Sequence, residues 1–150
     1  MTKPHILWFT DISMDDVGEV GGKNASLGEL IRSVEPKGVR VPHGFAVTAS
    51  AYFDYLKETG LDVFIAKTLK GLDTKNLKHL AKAGKAIRDK MRATPLPATL
   101  SKEIAAAYAK MEKTYGKNTD VAVRSSATAE DLPGASFAGE QETYLNIRGA

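Results

Sequence analysis

The 150-residue sequence predicts an α/β domain of the α+β kind, in which several amphipathic helices surround a small sheet. Apolar side chains recur at helical spacing in several stretches, and short apolar runs bounded by proline, glycine or acidic residues indicate strands. With 43% hydrophobic and 26% charged residues, the composition is that of a globular protein, so disordered, collagen-like and low-complexity chains are excluded. The length is sufficient for one domain with a buried core.

The first half of the chain is predicted to contain two short strands and two helices. The strands lie at residues 6–9 (ILWF) and around residues 45–47. One helix begins near Lys23, after a pair of glycines, and a second follows Thr48 or Ser50, either of which is a suitable N-cap. The positions expected to face a core are Leu27, Leu30, Ile31 and Val34 on the first helix, and Tyr52, Phe53 and Leu56 on the second.

The second half is predicted to contain two longer helices followed by two strands. The first helix spans residues 73–92 and is broken by Pro95, and the second stops at Gly116. Residues 121–126 (VAVRSS) indicate a buried strand, and residues 144–147 indicate a last one. The apolar stripes are Leu77, Leu80, Gly84, Ile87 and Met91 on the first helix, and Leu100, Ile104, Tyr108, Met111 and Tyr115 on the second.

The absence of cysteine and the distribution of charge restrict the class of protein. Without cysteine there is no thiol nucleophile, thiolate metal site or disulfide, which favours a reducing compartment. Charged residues interrupt the first 30 positions, so no apolar run there approaches the length of a signal peptide or a membrane span. We therefore expect a cytoplasmic protein without a membrane partner.

Basic residues are concentrated in the middle of the chain. Residues 61–118 contain 13 basic and 5 acidic side chains, although the whole chain has a net charge of only +3. A block of this kind is found on nucleic-acid-binding modules and on the solvated faces of lysine-rich helices. The lysines lack interleaved aromatic residues, which favours solvated helices and leaves a nucleic-acid-binding module as the alternative.

The first candidate site is the glycine-rich stretch at residues 18–24, GEVGGKN. Glycines at the start of a helix let backbone N–H groups approach an anion, and Lys23 adds a full positive charge, so phosphate is the natural ligand. The stretch is not a P-loop, because four residues rather than five separate Gly18 from Lys23, and Asn24 replaces the Ser or Thr that binds magnesium. The alternative is a glycine-rich turn with a solvent-exposed lysine.

The second candidate site is the run from residue 121 to residue 146. Arg124 follows an apolar strand, where a partly desolvated guanidinium needs an anionic partner such as phosphate or a carboxylate. The loop beyond it can present N–H groups and hydroxyls to phosphate oxygens, since it contains Gly134, Ser136, Gly139 and Thr143. The alternatives are a structural ion pair between Arg124 and Glu130 or Asp131, and a tight surface turn.

Four segments of the chain carry a family resemblance: WFTDISMDDVGEVGGKNASLGEL, VRVPHGFAVTASAYFDYL, LAKAGKAIRDKM and VAVRSSATAEDLPGASFAGEQETYLNIRG. In this order they cover nearly the whole chain, and they resemble the N-terminal part of the phosphoenolpyruvate synthases, which are pyruvate, water dikinases. The last segment is characteristic of the wider family that also contains pyruvate phosphate dikinases and rifampin phosphotransferases. The first and third segments are most similar to the synthases.

The resemblance implies that residues 1–150 form the first subdomain of an ATP-grasp nucleotide-binding domain. In the family, ATP phosphorylates a histidine of a swivelling domain, and pyruvate bound to a C-terminal barrel then yields phosphoenolpyruvate, with AMP and phosphate as the other products. Magnesium is required. This stretch alone is expected to be inactive, because the resemblance places the magnesium ligands, the adenine pocket and the phosphohistidine outside it. The alternatives to a phosphoenolpyruvate synthase are a pyruvate phosphate dikinase and a rifampin phosphotransferase. We also expect that the chain associates with itself.

The resemblance also implies which residues contact ATP. Lys23 and Arg124 match family residues that contact the ATP phosphates, and Gly139 and Thr143 match the phosphate loop. Arg88 lies where the family places another phosphate-binding arginine. Gly134 and Ser136 are expected to shape the loop. No residue of this chain is expected to act as acid, base, nucleophile or metal ligand, and His5, His43 and His79 lack the sequence context of a phosphohistidine.

Overall fold

A computed structural model describes residues 3–128 and 142–149 of the chain. Helices predominate, and the strands form two separate two-stranded antiparallel sheets, which confirms the predicted mixture of helices with a small amount of sheet. Within the described residues the order is β1 Ile6–Trp8, α1 Val17–Val20, α2 Gly22–Val34, β2 Phe45–Val47, α3 Ala49–Glu58, α4 Leu61–Leu69, α5 Leu77–Ala93, α6 Ala98–Tyr115, β3 Val121–Arg124 and β4 Thr143–Ile147.

The first sheet and the helix that follows it are joined by Thr48, one of the two predicted candidates for the N-cap. Strands β1 and β2 pair with Leu7 opposite Ala46. The hydroxyl of Thr48 accepts the N–H of Ala51 at 3.2 Å, which caps α3, and donates to the carbonyl of Pro4 at 2.9 Å. Because Thr48 is only 2% exposed, these two hydrogen bonds satisfy a buried hydroxyl and fix α3 against the start of β1.

Two clusters of apolar side chains form the core. One lies where α3, α4 and α6 meet, and the other lies where the first sheet meets α1 and α2. The first cluster consists of Ala51, Tyr55, Leu56, Leu61 and Leu100, and the second of Ile12, Val20, Ala25 and Ala46.

The face of α3 that packs on the core differs from the predicted one. Leu56 is buried as expected, but Tyr52 and Phe53 are exposed and contact each other edge to face at 5.7 Å between ring centroids. Tyr55 faces the core instead, and its hydroxyl donates to the carbonyls of Met91 and Thr94 near the end of α5. The predicted core-facing positions of α3 are therefore partly wrong. The end of α5 provides hydrogen-bond acceptors for Tyr55, and sequence periodicity cannot show where α5 packs.

The second sheet is exposed. The prediction that residues 121–126 form a buried strand is therefore wrong about the burial of the strand, although a strand is present. Strand β3 does form, but within the described residues no second layer covers the β3–β4 pair, and Leu145 is 65% exposed. Helix α6 holds the pair through Tyr108. The hydroxyl of Tyr108 donates to the carbonyl of Thr119 at 2.6 Å and accepts the N–H of Gly149 at 3.0 Å.

Helix α2 lies unusually close to the turn that follows β1. A Cβ on Gly28 would collide with the carbonyl oxygen of Ile12 and would lie 2.9 Å from the carbonyl oxygen of Phe9. Both carbonyls belong to backbone that cannot move as a flexible side chain does. The packing of α2 on the turn that follows β1 therefore requires glycine at position 28.

We expect Gly28→Ala to lower the free energy of unfolding by about 1–3 kcal/mol, because the added methyl group overpacks a rigid contact. Gly18→Ala is the matched control, since a Cβ at Gly18 in α1 has no neighbour within 4 Å. Urea denaturation of both variants measures the difference. Equal stability of the two variants would show that α2 does not pack this closely in solution.

His5 connects the segment before β1 to two helices. Its Nδ1 lies 2.8 Å from a carboxylate oxygen of Glu103 on α6, and its Nε2 lies 3.2 Å from a carboxylate oxygen of Asp54 on α3. Hydrogen bonding to Asp54, the largest cause, and to Glu103 raises the pKa of His5 above its ordinary value of 6.5, although burial opposes the shift. A doubly protonated ring donates to both carboxylates, whereas a neutral ring has one N–H and donates to one.

We expect the free energy of unfolding to decrease as the pH rises above about 6.5, the unfolded-state pKa of histidine. A raised folded-state pKa means that the folded form binds the proton more tightly, so the stabilisation is complete below the unfolded pKa and disappears as the pH passes the folded pKa. His5→Gln should remove this component, and His79→Gln on the exposed face of α5 should retain it. Urea denaturation between pH 5.5 and 8.5 tests this, and an unchanged pH profile in His5→Gln would refute it.

Candidate functional site

The glycine turn between α1 and α2 begins with Gly21, whose φ of +78° and ψ of 158° are accessible almost only to glycine. Lys23 is the second residue of α2 and is half-buried. No side chain within the described residues caps the start of α2. The N–H groups of the first turn, together with the positive end of the helix dipole and the Lys23 ammonium group, therefore form an electropositive helix start.

The chain that follows β3 packs directly against this turn. The hydroxyl of Ser126 donates to the carbonyl of Val20 at 2.8 Å. A Cβ on Gly21 would collide with the Ser126 hydroxyl and would lie 2.8 Å from the carbonyl oxygen of Ala127. Gly21 is thus needed for its backbone conformation and for the close approach of a segment more than a hundred residues away.

Two more of the predicted residues lie next to each other at the end of the second sheet. Arg124 and Thr143 are directly opposite in the β3–β4 register, so their side chains share one face of the pair. Ser125 closes the sheet beyond them, since its N–H donates to the carbonyl of Glu142 at 3.1 Å and its hydroxyl accepts the N–H of Glu142 at 3.1 Å. Arg124 is exposed, which corrects the expectation of a partly desolvated guanidinium.

Glu19 and Asp16, which precede the turn in sequence, are both engaged in hydrogen bonds. Glu19 is bound by Lys3 and by the hydroxyl of Ser50, and these hydrogen bonds, with Lys3 the larger cause, lower the pKa of Glu19. Hydrogen bonds from the backbone and hydroxyl of Ser13 lower the pKa of Asp16. Both carboxylates therefore stay ionised at neutral pH.

Arg88 stands apart from this arrangement among the described residues. Arg88 is exposed on α5, and its guanidinium folds over Gly84 of the same helix, where a Cβ would lie 3.1 Å from the nearest guanidinium nitrogen. No hydrogen bond or ion pair among the described residues joins Arg88 to the glycine turn or to Arg124. Gly134, Ser136 and Gly139 lie outside the described residues.

Sequence reasoning missed Ser126, which joins the two segments, and also the local hydrogen bonds of Asn24 in the turn and of Ser125 in the second sheet. The side-chain N–H of Asn24 donates to the carbonyl of Val20 at 2.7 Å, so this carbonyl accepts from both Asn24 and Ser126. The available signal was the pair of hydroxyls directly after Arg124 at the end of a strand.

Residues 3–128 and 142–149 contain neither a cluster of metal-ligating side chains nor a membrane-spanning helix. Over these ranges no group of three or more histidine and acidic side chains is arranged to hold a metal ion. Over the same ranges no helix is long and apolar enough to span a bilayer.

Comparison with known proteins gives consistent matches. The family model of the pyruvate phosphate dikinase AMP/ATP-binding domain matches residues 17–150. The chain is 53% identical over 150 residues to a phosphoenolpyruvate synthase of Neisseria meningitidis serogroup B, 48% identical to one of Aquifex aeolicus and 47% identical to one of Escherichia coli. Each alignment covers 99% of this chain, which spans only 18–19% of the length of these curated relatives.

We expect Gly21→Ala to destabilise the fold by about 2–4 kcal/mol, since it combines backbone strain with a collision against Ser126 and Ala127. Gly38→Ala is the comparison, because Gly38 also has a positive φ of +83° but open space around its Cα. The strain alone should cost Gly38→Ala about 1–2 kcal/mol. Chemical denaturation measures both, and an equal loss would mean that the segment after β3 does not contact the turn.

Proposed function

Since the chain belongs to the family of the pyruvate phosphate dikinase AMP/ATP-binding domain, we propose that its glycine turn and the end of β3 bind the phosphates of ATP. Lys23 and Arg124 are the proposed cationic ligands, and Thr143 is a proposed hydroxyl ligand. The observation that supports this most directly is the hydrogen bond from Ser126 to Val20, which joins the Lys23 turn to the strand that carries Arg124.

The proposed groups act by electrostatics and positioning. An ammonium group, a guanidinium group and helix-start N–H groups all donate hydrogen bonds and stabilise negative charge, so they suit the oxygens of a polyphosphate. None of them is suited to abstract a proton or to attack phosphorus at neutral pH. We therefore propose that they hold the phosphates in place and neutralise charge that develops during phosphoryl transfer.

We further propose that the longer protein containing this chain is a phosphoenolpyruvate synthase. The relatives named above carry that name and are similar over 99% of this chain. In the proposed reaction, pyruvate, ATP and water give phosphoenolpyruvate, AMP and phosphate by way of a phosphohistidine, from which pyruvate receives its phosphoryl group. The proposal assigns magnesium, adenine and pyruvate to groups outside the described residues, with magnesium neutralising phosphate charge when bound.

The other predicted residues enter the proposal with smaller roles. Gly134, Ser136 and Gly139 are proposed to complete the phosphate loop together with Thr143. Arg88 is proposed as a further phosphate ligand that reaches the site when α5 and the glycine turn are brought together around ATP. The proposal assigns no binding role to the lysines of α5.

We expect ATP and tripolyphosphate to shift the amide resonances of residues 21–24 and 124–126 in a ¹⁵N-labelled sample of this chain, and adenosine to leave them unchanged. The reason is that the proposed groups recognise phosphate and not the base. Lys23→Met and Arg124→Met should each weaken the binding about tenfold, as expected for the loss of a charge-assisted hydrogen bond. NMR titration suits the millimolar affinity expected of a partial site.

Lys85→Met is the matched control for this titration. It removes one positive charge from the basic block at a residue of α5 that pairs with Asp89, and it should leave the affinity for tripolyphosphate unchanged. Shifts caused by adenosine, or an equal weakening by Lys85→Met, would contradict the proposal because they would indicate base recognition or nonspecific attraction to a cationic protein.

A further inference from the structure

The carbonyl of Val20 is the point at which the two parts of the site are joined. Val20 is the last residue of α1, a helix of four residues, so its carbonyl has no partner within that helix. Val20 is 3% exposed, and a buried carbonyl needs hydrogen-bond donors. The two donors within the described residues are the side-chain amide of Asn24 and the hydroxyl of Ser126.

These two donors have different consequences for the site. Asn24 lies four residues after Val20, so its hydrogen bond is local and fixes only the shape of the turn. The hydrogen bond of Ser126 crosses from the end of β3 to the turn, and the bare Cα of Gly21 lets the backbone at Ala127 follow it to the same place. Ser126 therefore controls the separation of two segments, whereas Asn24 does not.

The two residues joined by this hydrogen bond are each close in sequence to one of the proposed cations, Arg124 and Lys23. Arg124 precedes Ser126 by two residues, and Lys23 follows Val20 by three. Two cations can bind one polyphosphate together only if their spacing matches that of the phosphate oxygens, so a group that fixes this spacing affects affinity without touching the ligand.

We propose that Ser126 is a positioning residue for the phosphate site, which acts through the carbonyl of Val20 to hold the Lys23 turn in register with Arg124. The proposal rests on the proposed function, in which Lys23 and Arg124 bind phosphate. Ser126 itself needs no contact with the phosphates in this role.

The first test needs no ligand and compares amide resonances. Ser126→Ala should shift the amide signals of residues 21–24, and Ser126→Thr, which retains the hydroxyl, should restore them. Ser26→Ala is the matched control, since Ser26 is exposed on α2 one turn from Lys23. Unchanged signals at residues 21–24 in a folded Ser126→Ala variant would overturn the proposal.

The second test is a double-mutant cycle with tripolyphosphate as the probe. Ser126→Ala should weaken binding about threefold, within the range for the loss of one neutral hydrogen bond. It should cause no further loss in a Lys23→Met background, because the group that it positions is gone. An additive loss in the double variant, or no loss in Ser126→Ala, would overturn the positioning role.

The outcomes distinguish this proposal from the proposed function. If Lys23→Met and Arg124→Met both bind tripolyphosphate as tightly as the unaltered chain, the proposed function itself is wrong. If both weaken binding and the cycle with Ser126→Ala is additive, the phosphate site stands and Ser126 has only a structural role.

Discussion

The close approach at Gly21 is the constraint on which the candidate site depends. Without a side chain at this residue, the segment at Ser126 and Ala127 comes into van der Waals contact with the turn that starts α2. Any other residue would separate the two segments by the thickness of a methyl group and would also strain the backbone at a φ of +78°. The close approach of the segment that follows Arg124 to the turn that carries Lys23 thus follows from one missing Cβ.

The contact at Gly21 joins two parts of the structure that are packed differently: helix α2 with its buried neighbours, and the exposed second sheet. Helix α2 is fixed to the turn after β1 by the close packing of Gly28, and its Ala25 is buried in a cluster with Ile12 and Val20. The second sheet has two strands, exposed apolar side chains and a tie to α6 through Tyr108. Because isolated two-stranded sheets have little stability of their own, contacts at both ends are needed to keep Arg124 in a fixed place.

Local signals in the sequence predicted the elements well and their surroundings poorly. The start of α2 near Lys23 and the Thr48 cap of α3 depend on residues within four positions of each other, so they could be read directly. An apolar run such as VAVR shows that a strand forms but not what covers it, which explains the wrong expectation of burial for Arg124. Helix α4 was not predicted at all.

The charged residues of the candidate site could be predicted from the sequence, because a cation beside glycines or after an apolar strand is unusual. The hydrogen bond from Ser126 to Val20 spans 106 positions, and no periodicity encodes a contact at that separation.

This long-range contact has a thermodynamic consequence for any ligand that binds both cations. A polyphosphate bound by both Lys23, on α2, and Arg124, on the second sheet, would connect the same two segments that the hydrogen bond of Ser126 connects. Ligand binding and docking of the second sheet then stabilise each other by the same free energy, as linkage requires. In the proposed function, the hydrogen bond of Ser126 therefore contributes to the free energy of phosphate binding, because it holds the strand that carries Arg124 against the Lys23 turn.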